Sequence, residues 1–255
     1  MIPAAFSLAG RTALITGAGA PDGIGFATAK LLVELGASVH LAGRSDRVRD
    51  RAAELGGVAH VADLTSEGDV HTMLGQLTSL DILVNNAGMT SVSNPIERSG
   101  ESGSVSQLSY SGWTASLQRN LDSAFLVTKA ALPLLRESTN ARIIMVSSVT
   151  GPAMAMANDA AYAASKAGMV GLTRALALDE AKFGLTCNAV APGWIATGSQ
   201  TTHEAEQGER TPLRRSATPE EVAATIAWLA TPGASYVTGQ CIVVDGGNSI
   251  AEERA

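Results

Sequence analysis

Short apolar runs alternate with helix-periodic segments along the whole chain. Thr12–Thr16, Ser38–Ala42, Val58–Ala62, Asp81–Val84, Arg142–Val146, Thr186–Val190 and Cys241–Val244 are strand-length and largely apolar, without strict polar alternation. That pattern belongs to strands buried on both faces. Between them lie segments with helical spacing, about Ile24–Leu35, Asp46–Leu55, Ser66–Leu77, Trp113–Leu135, Ala160–Lys182 and Pro219–Leu229. The last opens on Thr218 with Glu221 three residues later, a capping box that satisfies two helix-end amides. Repeated strand–helix pairs predict βαβ units. The expected fold class is therefore α/β: a single-domain Rossmann-type three-layer fold, with a seven-stranded parallel sheet and helices on both faces. No composition break marks a linker, so residues 1–255 read as one domain.

Two polar segments interrupt the alternation, Met89–Gly112 and Ile195–Arg210. Both follow predicted strands and so fall at the carboxyl edge of the sheet, where open α/β sheets bind ligands. They are the expected substrate loops, spanning 89–112 and 194–212.

Composition narrows the function classes. The chain has 255 residues and a net charge of −6, which gives no basic footprint for nucleic acid. Cys187 and Cys241 sit in apolar runs without a CxxC neighbour, and the four histidines form no HxxxH pair, so no metal site is expected. No apolar run approaches the length of a membrane span, and the N-terminus lacks a signal-peptide pattern. A soluble, cytoplasmic protein is the expectation.

Candidate chemistry begins after the first strand, in Thr16-Gly17-Ala18-Gly19-Ala20-Pro21-Asp22-Gly23-Ile24-Gly25. Glycines there let backbone approach a pyrophosphate, while the following helix offers unpaired amides. At the end of the second strand the carboxylate that usually holds an NAD ribose is absent. Arg44, Ser45 and Arg47 stand there instead, which favours the 2′-phosphate of NADP over NAD; a plain surface arginine is the alternative. Tyr162 and Lys166 are spaced four apart in an Ala-rich helix, so both face one way. An ammonium beside a phenol favours the phenolate and is expected to lower the Tyr162 pKa. Such a pair is common in helices and does not by itself establish catalysis.

Together these stretches resemble the short-chain dehydrogenase/reductase family, and within it the 3-oxoacyl-ACP-reductase-like branch. The resemblance rests on the glycine loop, Asp63, Asn85-Asn86-Ala87-Gly88, Asn120, Ser148 with Tyr162 and Lys166, Pro192-Gly193, Val237-Thr238-Gly239-Gln240 and Val244-Asp245-Gly246-Gly247. It implies catalysis by Asn120, Ser148, Tyr162 and Lys166. Tyr162 would be the general acid or base and Lys166 would hold the nicotinamide ribose. Ser148 would bond the substrate oxygen, and Asn120 would anchor a relay water. It also implies a cofactor held by Gly17, Gly19, Asp22, Gly23, Ile24, Arg44, Ser45, Asp63, Leu64, Asn86, Ala87, Gly88, Pro192, Gly193, Ile195 and Thr197. The implied activity is an NADP(H)-dependent carbonyl reductase or alcohol dehydrogenase acting on a small-molecule ketone such as a 3-oxoacyl compound. The implied assembly is a homotetramer built on the two long helices and the last strand.

Two departures stand out. The loop between Gly17 and Gly23 is longer than usual for the family by two residues, and Ser148 lies 14 residues before Tyr162, one more than usual. That extra residue falls in Met154–Asn158, which is expected to border the substrate; Met89, Met154, Met156 and Trp194 suggest an apolar, adaptable pocket or ordinary packing. Two other readings remain at this stage, an NAD-dependent dehydrogenase of a sugar, steroid or aryl alcohol, and a non-catalytic dinucleotide-binding regulator.

Overall fold

The structure, a computed structural model, describes residues 2–88 and 100–252. Seven parallel strands form one sheet: β1 (Thr12–Thr16), β2 (Ser38–Gly43), β3 (Val58–Val61), β4 (Ile82–Asn85), β5 (Arg142–Val146), β6 (Thr186–Pro192) and β7 (Cys241–Val244). Their spatial order is β3-β2-β1-β4-β5-β6-β7. The order reverses between β1 and β4, which pair through Ala13–Ile82, Leu14–Leu83 and Ile15–Val84. That reversal is a topological switch point, and at such points open α/β sheets bind ligands in a crevice at the carboxyl ends of the strands.

Helices cover both faces, as the apolar strands require. On one side α1 (Ile24–Glu34) and α8 (Pro219–Ala230) pack with α2 (Arg47–Glu54) over Ile15, Val39, Leu41 and Val84. On the other, α3 (Glu67–Leu74), α5 (Ser123–Glu137) and α6 (Ala160–Asp179) enclose Leu14, Leu83, Ile143 and Met145. No helix among the described residues is long and apolar enough to cross a membrane.

Three expectations change. The segment read as one helix over Trp113–Leu135 is α4 (Tyr110–Leu117), a π turn (Gln118–Asp122) and then α5. Side chains bond backbone carbonyls in and beside the turn: Asn120 Nδ2 donates to Ser116 O at 2.9 Å and the Ser123 hydroxyl to Arg119 O at 2.7 Å. α6 stops at Asp179 and a 3-10 turn, Ala181–Phe183, replaces its last residues. The polar stretch after β6 contains a helix, α7 (Thr202–Glu209), whose N-cap Thr201 forms a full capping box with Glu204. The same Thr-x-x-Glu signal marks both helix starts, Thr218 and Thr201. Of the 89–112 loop, 89–99 lie outside the described residues, and 110–112 already belong to α4.

Candidate active site

The loops after β1 and β4 are clasped at the switch point. Thr16 Oγ1 donates to Val84 O and accepts from the amides of Asn86 and Ala87 at 3.0 Å each. Asn86 Nδ2 reaches back to Thr16 O at 3.0 Å and Gly17 O at 3.1 Å. Contact is so close that a Cβ on Gly17, whose φ is +69°, would stand 2.8 Å from Ala87 Cα.

The amides of α1 that follow have no side-chain partner. Its N-cap is Gly23, there is no cap bond and no acidic residue in the first turn. An uncapped helix start beside bare glycine backbone has the chemistry to hold a diphosphate. A Cβ on Gly19 would meet nothing nearer than 3.8 Å, so backbone there lies open. The residues present therefore fit a dinucleotide. The two extra loop residues do not sit idle, because the Asp22 carboxylate presses against Gly198 in the segment after β6.

At the far end of the crevice Arg44 and Arg119 both act on the Asp63 carboxyl, which is held below its ordinary range mainly by hydrogen bonds from Thr65. Asp63 Oδ1 accepts from the Thr65 amide at 3.0 Å and its hydroxyl at 2.7 Å. Leu64 packs against the core below. Asp46, the nearest acid after β2, is engaged by Arg49 at 2.9 Å. Ser45 is exposed and its hydroxyl accepts from Arg47 Nε at 3.3 Å.

The candidate catalytic residues converge where β5 meets α6. Lys166 is 2% exposed, and its Nζ donates to Val146 O at 3.0 Å and lies 5.6 Å from the Tyr162 ring centre. The serine pair divides its roles. Ser147 donates to Lys166 O at 2.8 Å and so ties α6 to β5. Ser148 Oγ instead accepts from the Thr150 amide at 3.1 Å, and its hydroxyl draws the Tyr162 pKa down. Asn120 arrives from the π turn, 1% exposed, with Oδ1 lacking a partner among the described residues. Sequence reasoning located Asn120 but took its helix as regular, and no motif signalled the π turn.

Burial overturns one expectation about this pair. Tyr162 is pushed up to about 12, not lowered: burial dominates, the Ser148 bond opposes it, and the Asp159 and Glu204 carboxylates add to the rise. Lys166 falls to about 8, again through burial. Loss of hydration outweighs the mutual attraction expected from spacing.

The segment after β6 closes the site. Val149 N donates to Pro192 O at 2.9 Å, and a Cβ on Gly193 would strike Asp245 at 2.7 Å. Ile195 bridges Ala217, and the Thr197 and Ser199 hydroxyls lie 3.0 Å apart. The lengthened Met154–Asn158 stretch turns back on itself, with Gly151 N bonded to Met154 O at 2.7 Å and Asn158 left-handed at φ 63°. Asn248 Nδ2 contacts Met154 Sδ at 3.5 Å.

Comparison with known proteins agrees with this fold. A family model described as enoyl-(acyl carrier protein) reductase matches residues 17–249. The chain is 36% identical over 266 residues to the oxidoreductase UcpA of Salmonella typhimurium, covering 96% of this chain and 97% of the relative. It is 37% identical to the 3-oxoacyl-[acyl-carrier-protein] reductase FabG of Vibrio cholerae, covering 94% and 98%. A protein from Beutenbergia cavernae, provisionally assigned as an NAD(P) dependent gluconate 5-dehydrogenase and solved with NADP at low occupancy, superposes with a TM-score of 0.83. It shares 37% identity, with 95% of this chain and 98% of that one covered.

Proposed function

The chain belongs to the short-chain dehydrogenase/reductase family and is an NAD(P)-dependent oxidoreductase, and from that premise we propose that it is an NADPH-dependent carbonyl reductase, running in reverse as an alcohol dehydrogenase. The observation that carries this is the meeting of Tyr162, Ser148, Lys166 and Asn120 beside an uncapped α1 N-terminus.

Gly17, Gly19, Asp22, Gly23 and Ile24 would surround the diphosphate, with Arg44 and Ser45 at the 2′-phosphate. Asp63 and Leu64 would meet the adenine, and Asn86, Ala87 and Gly88 the ribose and adjoining backbone. Pro192, Gly193, Ile195 and Thr197 would flank the nicotinamide. The chemistry that such a cofactor supplies is hydride transfer to or from carbon.

The chain's own residues manage the proton. A phenol whose pKa stands near 12 is protonated at neutral pH, so Tyr162 holds the proton that a ketone oxygen needs on reduction. Ser148 donates to that oxygen as charge develops on it. Lys166 holds the ribose and, as a buried cation, favours proton loss from Tyr162 in the reverse direction. Asn120 Oδ1, without a partner among the described residues, faces Gly88 and the Lys166 side, where it can hold a relay water.

Segments 89–112 and 194–212 act as the substrate loops for a ketone such as a 3-oxoacyl compound. Exposed apolar side chains on the long helices and last strand, Phe125, Leu178 and Val243, support a homotetramer. Two free cysteines suit a reducing, cytoplasmic setting.

The test follows nicotinamide absorbance with NADPH and a panel of ketones and 3-oxo esters. Tyr162→Phe is expected to lose about 100-fold or more in kcat. Equal rates for the variant and the wild type would sink the assignment.

A further inference from the structure

We propose that the buried ion pair Glu101–Arg119 positions Asn120: it fixes the rotation of the π turn and so directs the asparagine toward Gly88 and Lys166. The proposal rests on the reductase reading and adds two positioning residues to that same site, both acting through Asn120.

From Gly100 to Gln118 the sequence holds a single charged residue, Glu101, and Arg119 is the next. The stretch is mostly Ser and Gly and has little apolar surface to bury, yet Glu101 is 2% exposed. An acid reaches that depth only with a partner. Arg119 supplies it, with Nη2 donating to Glu101 Oε1. The Arg119 Nη1 is buried as well and has no partner among the described residues.

The glutamate end of the pair is anchored on both sides. Gly112, in the first turn of α4, lies so close to Gly100 O that a Cβ there would overlap it. Gly103 N donates to Asn158 O at 2.8 Å, and Gly103 bridges Asp159 at the start of α6. Glu101 therefore sits between two backbone ties, each to the start of a helix.

The arginine end is a lever. Successive side chains leave a helical turn roughly 100° apart, so Arg119 and Leu121 leave it on nearly opposite sides, with Asn120 between them. Leu121 meets α6, where a Cβ on Gly168 would stand 2.8 Å from Leu121 Cδ2. With Glu101 holding one side and Gly168 the other, the turn has one rotation, and Asn120 takes its direction from it. Removing two charges from water costs about what their attraction returns, so such a pair adds little stability. A charge-assisted bond is short and directional, which suits it to fixing a geometry.

The experiment uses the full chain, NADPH and the ketone that it reduces fastest. Glu101→Ala is expected to lose about tenfold in kcat, with KM for NADPH changed less than about twofold. Glu101→Gln keeps a neutral acceptor, whose bond is about half as strong, and should lose about threefold. On an Asn120→Ala background, Glu101→Ala should cost less than about twofold more, because both changes act at one point; independent effects would multiply. Hydrogen exchange of the cofactor-free chain reads the same pair without turnover. Amides 118–123 should exchange about tenfold faster in Glu101→Ala than in wild type. They should not change in Glu67→Gln, which breaks the exposed Lys129–Glu67 pair. Should Glu101→Ala fail to fold, Glu101→Gln carries every comparison at its smaller size. A chain that reduces no ketone fails the reductase reading alone, and exchange then decides the pair. Unmoved exchange at 118–123, an unmoved kcat in an active chain, or losses that multiply with Asn120→Ala overturn the proposal.

Discussion

A Cβ on Gly88 would stand 2.6 Å from Asn120 Oδ1 and 3.4 Å from Lys166 Nζ. The loop after β4 is therefore pressed onto the π turn and the buried lysine together. Gly88→Ala should displace Asn120 and lower kcat by about tenfold or more, since a misplacement of about 1 Å can cost up to about 100-fold. Far-UV circular dichroism should be unchanged. Unaltered steady-state kinetics would show that this packing does not matter to turnover.

The two adjacent serines should separate stability from catalysis. Ser147→Ala removes the bond to Lys166 O and should cost about 1 kcal/mol, read as a lower melting temperature. Ser148→Ala should cost about 100-fold in kcat with little change in melting. The reverse pattern would exchange their roles.

Gly198→Ala would drive a Cβ into the Asp22 carboxylate. Asp22 is exposed, so the fold should tolerate this, but the lengthened glycine loop would have to shift. The expected result is a severalfold higher KM for NADPH with kcat little altered. An unchanged KM would place Asp22 outside the cofactor's reach.

Arg44→Asp tests cofactor choice. It replaces the cation at the end of β2 with the carboxylate that suits a free 2′-hydroxyl. The ratio of kcat/KM for NADPH over NADH should fall by about 100-fold, corresponding to a lost charge-assisted pair. A ratio that does not move assigns the 2′-phosphate elsewhere.

His40 Nδ1 and His60 Nε2 lie 2.9 Å apart on neighbouring strands, so the bond needs at least one neutral ring. Burial lowers both pKa values below 6.5, with His60 also disfavouring charge on His40 and Gln76 opposing the shift at His60. The unfolded chain then binds more protons as pH drops. Their contribution is fully present above about pH 6.5 and is lost as pH falls through the lowered values. Melting temperature should drop between pH 7.5 and 5, less steeply in His60→Gln. Parallel curves would remove the pair as the cause.

Strand number, parallel class, glycine loop and the Tyr162–Lys166 spacing were all legible in the sequence, because each rests on local periodicity or on residues close in the chain. The Thr201 capping box was equally legible, yet the polarity of its surroundings masked α7. What tertiary structure alone decided was solvation and long-range contact. Burial moved Tyr162 upward when spacing pointed downward, and side-chain bonds to Ser116 and Arg119 carbonyls accompany the π turn that presents Asn120. Glu204 adds to burial in raising the Asp159 pKa from 45 residues away in the chain. Periodicity reports which face of an element is apolar; it carries no record of which distant charges that face will meet, nor of how much water is left between them.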